Sequence, residues 1–317
     1  MTLKLFFTSD FHGSEICWRK FLRVFERYKV DITILGGDLT GKMIIPIVAH
    51  RNGTHSYTLF SQTNFIQNER EIPDIIEKIA GYGYYSYLCS EEEVERLREN
   101  VNLLKASFRK LMRERIERWV SMAEERMREA GVRMFMSPGN DDDFVIDDAI
   151  MRSKVITYSE RRLVEVGDKY TMITLGWVNK TPWNTPRETS DEGLKNMLEE
   201  LFAQVSDCRY LICNFHAPPY NTGLDLAPKL DSTLSIKIRP GGGVEVVPVG
   251  SKAVREALER YQPLLGLHGH IHESSGFRRL KRTLCVNPGS EYAEGILRGF
   301  IVHLEKDKVA GYWRVYG

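Results

Sequence analysis

Polar residues spaced by two occur directly after apolar runs near both ends of the chain. Segment 269–272 reads Gly-His-Ile-His and follows the apolar run 263–267, and segment 10–12 reads Asp-Phe-His and follows the run 3–7. Side chains two residues apart on an extended backbone point the same way. Imidazole and carboxylate groups are common ligands of divalent cations. These two pairs could therefore converge on one cation.

Three further polar loops could complete a metal site. They also follow short apolar runs, and they are Gly37-Asp38, Gly139-Asn140-Asp141-Asp142 and the loop that begins at His216. In open α/β sheets the loops at the carboxyl ends of the strands form the ligand-binding crevice. Oxygen and imidazole ligands without a thiolate suit Mn²⁺, Fe or Zn²⁺ in a hydrolytic site better than a structural zinc. We therefore expect the five loops to meet at one edge.

Each loop taken alone has a simpler interpretation. Asp10 suits the cap of the helix that follows, and Asp38 suits a plain turn. Asn140 and Asp141 suit a turn or a cap, and His216 suits an ordinary loop histidine. Only the Gly-His-Ile-His segment favours chemistry by itself. The five loops together, in this order, favour one shared site.

The distribution of apolar residues predicts an α/β fold. Short apolar runs with little alternation are typical of strands covered on both faces. Such runs cover 3–7, 32–35, 132–136, 170–175, 210–215 and 264–267. Helical spacing occurs over 16–28, and Ser251 is a candidate cap for a helix over 252–261. The later runs 283–286, 300–304 and 309–315 have no long helix between them, which suggests antiparallel strands.

Residues 42–131 break this pattern and predict an insertion within a single domain of residues 1–317. The runs 43–49 and 54–60 predict a β-hairpin, because the Asn52-Gly53 pair between them tolerates the positive φ of tight turns. Residues 90–130 contain no Gly or Pro and begin with a capping box, which indicates one long helix or two. The insertion is either a cap over the site or a dimerisation element, with an apolar stripe that packs on the hairpin or on a second subunit.

Composition places few limits on partners. The 317 residues carry a formal net charge of +1, so there is no global field to attract nucleic acid or an acidic membrane. A local basic groove would escape this average, so nucleic acid is not excluded as a substrate. Five cysteines without a C-x-x-C pair suit buried thiols in a reducing compartment. No apolar stretch approaches the roughly 18 residues of a membrane span, and we expect a cytoplasmic protein.

The order of the polar loops resembles that of the calcineurin-like metallophosphoesterases, in particular their compact prokaryotic members. The family motifs are D-x-H, G-D, G-N-H-D/E, a later His and G-H-x-H, and Asn287-Pro288-Gly289-Ser290 matches a common tail feature. The resemblance covers residues 1–40 and 132 to about 300. It implies a four-layer α/β/β/α sandwich, with the hairpin and long helix inserted as a cap.

The resemblance also implies a dinuclear metal centre. Asp10, His12 and His272 would hold the first ion, and Asn140, His216 and His270 the second. Asp38 would bridge the two ions. Two cations at roughly 3.5–4 Å activate a bridging hydroxide, hold phosphoryl oxygens and offset the charge of the leaving oxygen. We expect Mn²⁺ as the first choice, with Fe, Zn²⁺ or Ni²⁺ as alternatives, and hydrolysis of a phosphate ester without a covalent intermediate.

One residue departs from the family pattern. The chain has Asp141 where relatives usually have a histidine that protonates the leaving alcohol. An aspartate is normally ionised at neutral pH, so we expect a preference for diesters or activated leaving groups. His50 or His55 in the hairpin could supply the missing acid, and Asp142 and His268 are candidates to orient ligands or a leaving group.

Two alternatives remain beside the diesterase. The same site could serve a phosphomonoesterase or a nuclease. The second alternative is not an enzyme but a scaffold protein that has the same fold without catalysis. In such a protein we expect some of the metal-ligand positions to hold other residue types. All seven ligand positions here hold residue types that suit the family.

Overall fold

Two large sheets position the polar loops. The structure, a computed structural model, describes residues 2–128 and 130–317. The strands are β1 (Thr2–Thr8), β2 (Ile32–Leu35), β3 (Ile44–Ala49), β4 (His55–Leu59), β5 (Gln62–Ile66), β6 (Tyr85–Ser90), β7 (Arg133–Met136), β8 (Ile156–Tyr158), β9 (Leu163–Glu165), β10 (Thr171–Leu175), β11 (Val178–Asn179), β12 (Glu188–Thr189), β13 (Leu211–Phe215), β14 (Leu226–Pro228), β15 (Val246–Pro248), β16 (Leu265–Leu267), β17 (Gly276–Leu280), β18 (Thr283–Asn287), β19 (Arg298–Glu305) and β20 (Lys308–Tyr316).

The helices are of mixed length. They are α1 (Glu15–Phe21), α2 (Val24–Tyr28), α3 (Ile72–Gly81), α4 (Glu91–Glu99), α5 (Val101–Met127), α6 (Asp147–Met151), α7 (Asp191–Phe202) and α8 (Lys252–Tyr261). Ser251 caps α8 by accepting a hydrogen bond from the backbone N–H of Val254, as the sequence predicts. Among the described residues, no helix is long and apolar enough to cross a membrane.

Each large sheet combines parallel and antiparallel pairs. Within the described residues, the first sheet has the strand order β20-β19-β1-β2-β7-β8 and the second has β17-β18-β16-β13-β10-β9. Strands β1, β2, β7 and β8 pair in parallel, and so do β10, β13, β16 and β18. The predicted antiparallel arrangement of the last strands holds for β19 and β20, whereas β18 pairs in parallel with β16 and antiparallel with β17. In both sheets the parallel strands end at a common edge.

Three clusters of buried apolar side chains set the order of the layers. One lies between the two sheets and includes Phe7 and Leu265. The second joins the first sheet to helices α1, α5 and α6 and includes Met136 and Trp119. The third joins the second sheet to α7 and α8 and includes Leu258. The packing runs helices, sheet, sheet, helices, and the α/β fold class expected from the sequence is confirmed.

The segment 42–131 contains more sheet than its sequence predicts. Strands β3 and β4 form the expected hairpin, with Ile47 opposite Tyr57. Strand β5 extends it on one side, and β6 pairs in parallel with β3 on the other. Ser90 and Glu93 form the predicted capping box of α4. The helical stretch then divides at Asn100, whose side chain caps α5 by accepting from the backbone N–H groups of Asn102 and Leu103.

The second half of α5 packs on the main core. Ile116, Trp119 and Ala123 are fully buried in the cluster under the first sheet. The Trp119 ring stacks on Trp18, with centroids 4.8 Å apart, and its indole N–H donates to the Glu15 carboxylate at 2.9 Å. The expectation that this stripe packs on the hairpin or on a second subunit is therefore wrong for this half of the helix. The limits 42–131 of the insertion stay a prediction.

Replacing Trp119 tests whether α5 belongs to the core. Trp119→Ala should lower the free energy of unfolding by about 3–5 kcal/mol, because it removes a buried aromatic ring and leaves a cavity. Trp313→Ala is the control, since that ring is half exposed. Urea unfolding followed by circular dichroism measures both variants. Equal losses of stability in the two would show that α5 contributes no core packing.

Candidate metal centre

The loops after β1 and β2 lie side by side. The Asp10 N–H donates to the Gly37 carbonyl at 2.9 Å, and the His12 N–H donates to the Asp38 carbonyl at 2.8 Å. The two strands pair in parallel, so both loops leave the same edge of the first sheet. This brings the Asp-Phe-His segment against the Gly-Asp segment, as the sequence predicts from the strand ends.

Four of the polar residues hold a strained backbone. Asp10, His12, Asp38 and His270 have φ values of 61°, 42°, 51° and 67°. Residues with a side chain rarely adopt positive φ, and each such residue costs about 1–3 kcal/mol. The surrounding structure must hold these loops in place. Such strain is typical of functional sites.

Two glycines allow the loops to approach each other. A Cβ atom at Gly139 would collide with the Asp38 carboxylate, and one at Gly269 would collide with Ser9 and the Asp10 carboxylate. The glycines of the Gly-Asn and Gly-His segments are thus required by close packing around the two aspartates. Any larger residue there would push a carboxylate out of position.

Two clusters of polar side chains contain only predicted metal ligands, and a third group combines His12 and Asp38 with Asp141. In the first, ligand atoms of Asp10, His12 and His272 lie within 4.8 Å of one another. In the second, Asp38, His216 and His270 meet the same limit.

Asp38 and Asp10 link the clusters. The His216 Nε2 atom lies 3.3 Å from Asp38 Oδ2 and 3.8 Å from Asp10 Oδ1. The His12 Nε2 atom lies 3.6 Å from Asp38 Oδ2. Asp38 therefore faces a histidine of each cluster, which is the position a bridging carboxylate needs.

The donor atoms fit divalent cations. The two Nε2 atoms of His12 and His272 face each other at 3.0 Å, an arrangement that needs a cation or a proton between them. The buried Asn140 Oδ1 atom has no hydrogen-bond partner among the described residues. A buried acceptor without a partner is costly. Both observations are consistent with side chains that coordinate metal ions.

Electrostatics support the same interpretation. Burial raises the pKa of Asp10, but the hydrogen bond and charge of His272 outweigh it and lower that pKa to about 2. Burial also lowers the pKa of His216, but the Asp38 carboxylate raises it to about 10, so without a metal ion a proton on this imidazole supplies the positive charge that pairs with Asp38. The site thus holds ionised carboxylates that demand positive charge. Burial lowers the pKa of His270 to about 4, so this imidazole is neutral and free to ligate.

Asp142 braces the site rather than facing it. Its buried carboxylate accepts hydrogen bonds from the backbone N–H groups of Leu39, Thr40 and Gly139, and from the Thr40 hydroxyl. These bonds tie the loop after β2 to the loop after β7. We expected Asp142 to orient ligands, and this arrangement shows how it could do so.

His268 and the tail motif brace the other loops. His268 is fully buried, and its Nδ1 donates to the carbonyls of Phe215 and Ala217 on either side of His216. The Ser290 hydroxyl donates to the Asp10 carbonyl at 2.6 Å, and its backbone N–H donates to the His272 carbonyl. The first and last polar segments are therefore held together by residues of the chain itself.

A relay of hydrogen bonds orients Asn140. Its side-chain Nδ2 donates to the Thr185 hydroxyl at 3.0 Å, and that hydroxyl donates to the Glu188 carboxylate at 2.6 Å. Because the amide nitrogen is engaged, the amide oxygen points elsewhere. No sequence signal indicates Thr185 or Glu188, since both lie far along the chain from Asn140 and belong to no motif.

Lys42 and Tyr292 also reach the site without a sequence signal. Lys42 Nζ lies 2.6 Å from Asp141 Oδ2. The Tyr292 ring lies 4.8 Å from the His12 ring. Burial lowers the pKa of Lys42, but the Asp141 and Asp38 carboxylates outweigh it and raise that pKa, so this side chain is cationic.

The hairpin histidines are engaged elsewhere. The ring nitrogens of His50 contact the Glu91 carboxylate at 2.7 Å and the Ser56 hydroxyl at 2.8 Å. His55 is buried in β4. Neither histidine is among the groups that contact the two clusters, so the suggestion that one of them replaces the missing acid has no support.

Family membership follows from residues 3–274, which match the model of the calcineurin-like phosphoesterases. The chain belongs to this family. Its members are hydrolases of phosphate esters that use divalent metal ions. The resemblance expected from the motifs is therefore confirmed.

Individual relatives are more distant. An uncharacterized protein of Methanocaldococcus jannaschii is 31% identical over 153 residues, which cover 48% of this chain and 61% of that protein. The chain thus matches less than two thirds of that relative's length. A crystal structure of a Thermus thermophilus protein has a TM-score of 0.57 at 13% identity, covering 100% of this chain and 99% of its own. Another crystal structure has a TM-score of 0.56 at 16% identity, covering 99% of both chains. These two likenesses show the fold.

Removing the Thr185 hydroxyl tests the relay to Asn140. Thr185→Val should weaken Mn²⁺ binding by about 10–100-fold, the usual cost of losing an outer partner of a metal ligand. Titration calorimetry of the metal-free protein measures this. Thr185→Ser should bind like the wild type. Thr181→Val is the matched control, since Thr181 also donates to Glu188 but does not contact Asn140. Equal affinity in Thr185→Val and the wild type would exclude the relay.

Proposed function

We propose that the chain is a phosphate ester hydrolase with two divalent metal ions. Asp10, His12 and His272 would hold one ion, and Asn140, His216 and His270 the other. Asp38 would contact both. The observation that carries the proposal is the pair of largely buried Asp/His clusters, in which Asp38 of the second cluster also faces His12 of the first.

Metal chemistry explains why the chain gathers these groups. Bound divalent cations polarise phosphoryl oxygens, lower the pKa of a water molecule and offset charge on the leaving oxygen. The protein holds the ligands in fixed positions and keeps them buried. The mixture of carboxylate, amide and imidazole donors suits Mn²⁺ best, with Fe, Zn²⁺ or Ni²⁺ as alternatives.

The lean towards phosphodiesters follows from Asp141. This residue is ion-paired with Lys42 and lies 3.7 Å from His12 Nδ1, where relatives usually carry a histidine. Burial and the Asp38 charge raise the pKa of Asp141, whereas the Lys42 ammonium opposes this and favours the carboxylate, which is a poor proton donor to an alkoxide. Substrates with a good leaving group, such as aryl diesters, depend less on such a donor. The same site could belong to a phosphomonoesterase or a nuclease, and a panel of substrates distinguishes these activities from that of a phosphodiesterase.

Metal removal is the first test of the activity. Chelated protein should lose hydrolysis of an aryl phosphodiester, and Mn²⁺ should restore it. Asp38→Asn should lower kcat/KM by more than about 100-fold, because the loss of even an outer partner of a metal ligand has effects up to that size. Asp207→Asn, which changes an exposed carboxylate paired with Arg209, is the control. Full activity after chelation, or in Asp38→Asn, would contradict the proposal.

The leaving-group preference is tested by a panel at saturating Mn²⁺. We expect kcat/KM to be higher for bis(4-nitrophenyl) phosphate than for a simple alkyl phosphomonoester, because Asp141 cannot protonate an alkoxide well. The panel also includes aryl phosphomonoesters, cyclic nucleotides and single-stranded nucleic acid. Faster hydrolysis of alkyl monoesters would refute the lean towards diesters, and no hydrolysis of any substrate would favour a scaffold.

A further inference from the structure

Lys42 stands where the chain departs from its family. It is the first residue of the segment 42–131 and forms an ion pair of 2.6 Å with Asp141. Asp141 occupies the motif position at which relatives usually carry a histidine. This chain therefore has a carboxylate at residue 141 instead of an imidazole. The ammonium of Lys42, which comes from another loop, contacts that carboxylate.

We propose that the Lys42 ammonium binds the phosphoryl group of the substrate, at the place where relatives usually carry a histidine. This inference rests on the proposed function and names one residue that would recognise the substrate. It assigns to the start of the segment 42–131 a direct role at the site.

The backbone holds Lys42 in place. The two residues that precede the adjoining Gly41 are bound to Asp142, through the N–H groups of Leu39 and Thr40 and the Thr40 hydroxyl. The Gly41 N–H donates to the Tyr85 hydroxyl at 2.9 Å. A Cβ atom at Gly41 would collide with the Gly83 carbonyl, so this turn packs tightly on the inserted sheet. The backbone of Lys42 is therefore held in place, and only its flexible side chain can move.

The end of the side chain is available to a substrate. The Lys42 side chain is 48% exposed, whereas that of Asp141 is 18% exposed and that of Asp38 is 3% exposed. An ammonium has three N–H donors. One can stay on Asp141 while the others reach phosphoryl oxygens. Lys42 thus places a positive charge between the buried carboxylates and solvent, where a substrate can reach it.

Charge balance explains why such a cation is needed here. The substrate of a phosphoesterase is an anion, and Asp141 adds a negative charge close to Asp38, whose carboxylate accepts the Asp141 N–H at 3.0 Å. Without Lys42, Asp141 would repel the phosphate group. With Lys42, the pair is neutral and still offers hydrogen-bond donors. A cation that contacts phosphate through charge-assisted hydrogen bonds binds it strongly.

The test measures binding of inorganic phosphate to the Mn²⁺-loaded protein by titration calorimetry, together with KM for bis(4-nitrophenyl) phosphate. Lys42→Ala should weaken phosphate binding and raise KM, each by about tenfold or more, the effect of losing a hydrogen bond to a charged group. Mn²⁺ stoichiometry and affinity should not change. Lys42→Arg should stay within about threefold of the wild type, because it keeps the charge.

Two further variants separate substrate binding from a structural ion pair. Asp141→Asn should leave phosphate affinity unchanged or raise it, because it removes a negative charge and keeps Lys42. A structural role predicts instead that Lys42→Ala and Asp141→Asn both weaken binding. Arg109→Ala is the matched control, since Arg109 is an exposed cation paired at 2.8 Å with the neighbouring Asp143. It should leave phosphate binding unchanged.

The outcomes distinguish this inference from the proposed function. Unchanged phosphate affinity in Lys42→Ala, a parallel loss in Asp141→Asn, or a loss of Mn²⁺ affinity in Lys42→Ala would overturn it. If no substrate is hydrolysed but phosphate binding still depends on Lys42, Lys42 is confirmed as part of an anion-binding site and the proposed hydrolysis is wrong.

Discussion

The buried negative charge at the shared edge of the two sheets constrains the rest of the structure. Asp10 and Asp38 are almost fully inaccessible to solvent, and both are ionised. Buried charges are costly unless they are paired or coordinate a metal. Histidines from distant parts of the chain surround them, and the backbone accepts positive φ to bring them there. Metal ions would relieve this cost, so the need for cations accounts for both the ligand set and the strain.

The fold meets this constraint by cross-linking its loops. Asp142 ties the first sheet's loops together, and Ser290 joins the Asp10 loop to the His272 loop. Arg115 of α5 donates to the carbonyl of Gly13, beside His12. The segment 42–131 therefore contributes to the site, because its last helix supports the loop that carries His12. Its first residue, Lys42, faces the site.

The strands that precede the polar loops could be predicted from the sequence, because a buried apolar run is a local signal, whereas strands such as β5, β6, β8 and β17 could not. The runs before Asp10 and His270 are apolar on both faces, and such strands end where polar loops begin. The relay through Thr185 and the position of Lys42 could not be predicted in this way. Thr185 meets Asn140 only after the chain has folded, and Lys42 reaches Asp141 because Asp142 fixes the preceding turn. The surface on which the apolar stripe of α5 packs could not be predicted either, because it depends on the tertiary structure.

Anomalous diffraction from crystals grown with manganese tests the dinuclear centre most directly. We expect two peaks separated by roughly 3.5–4 Å, the usual spacing of paired catalytic ions. One peak should lie beside Asp10 and His272, the other beside His216 and His270, with Asp38 in contact with both. A single peak, or none near Asp38, would contradict a shared carboxylate between two ions.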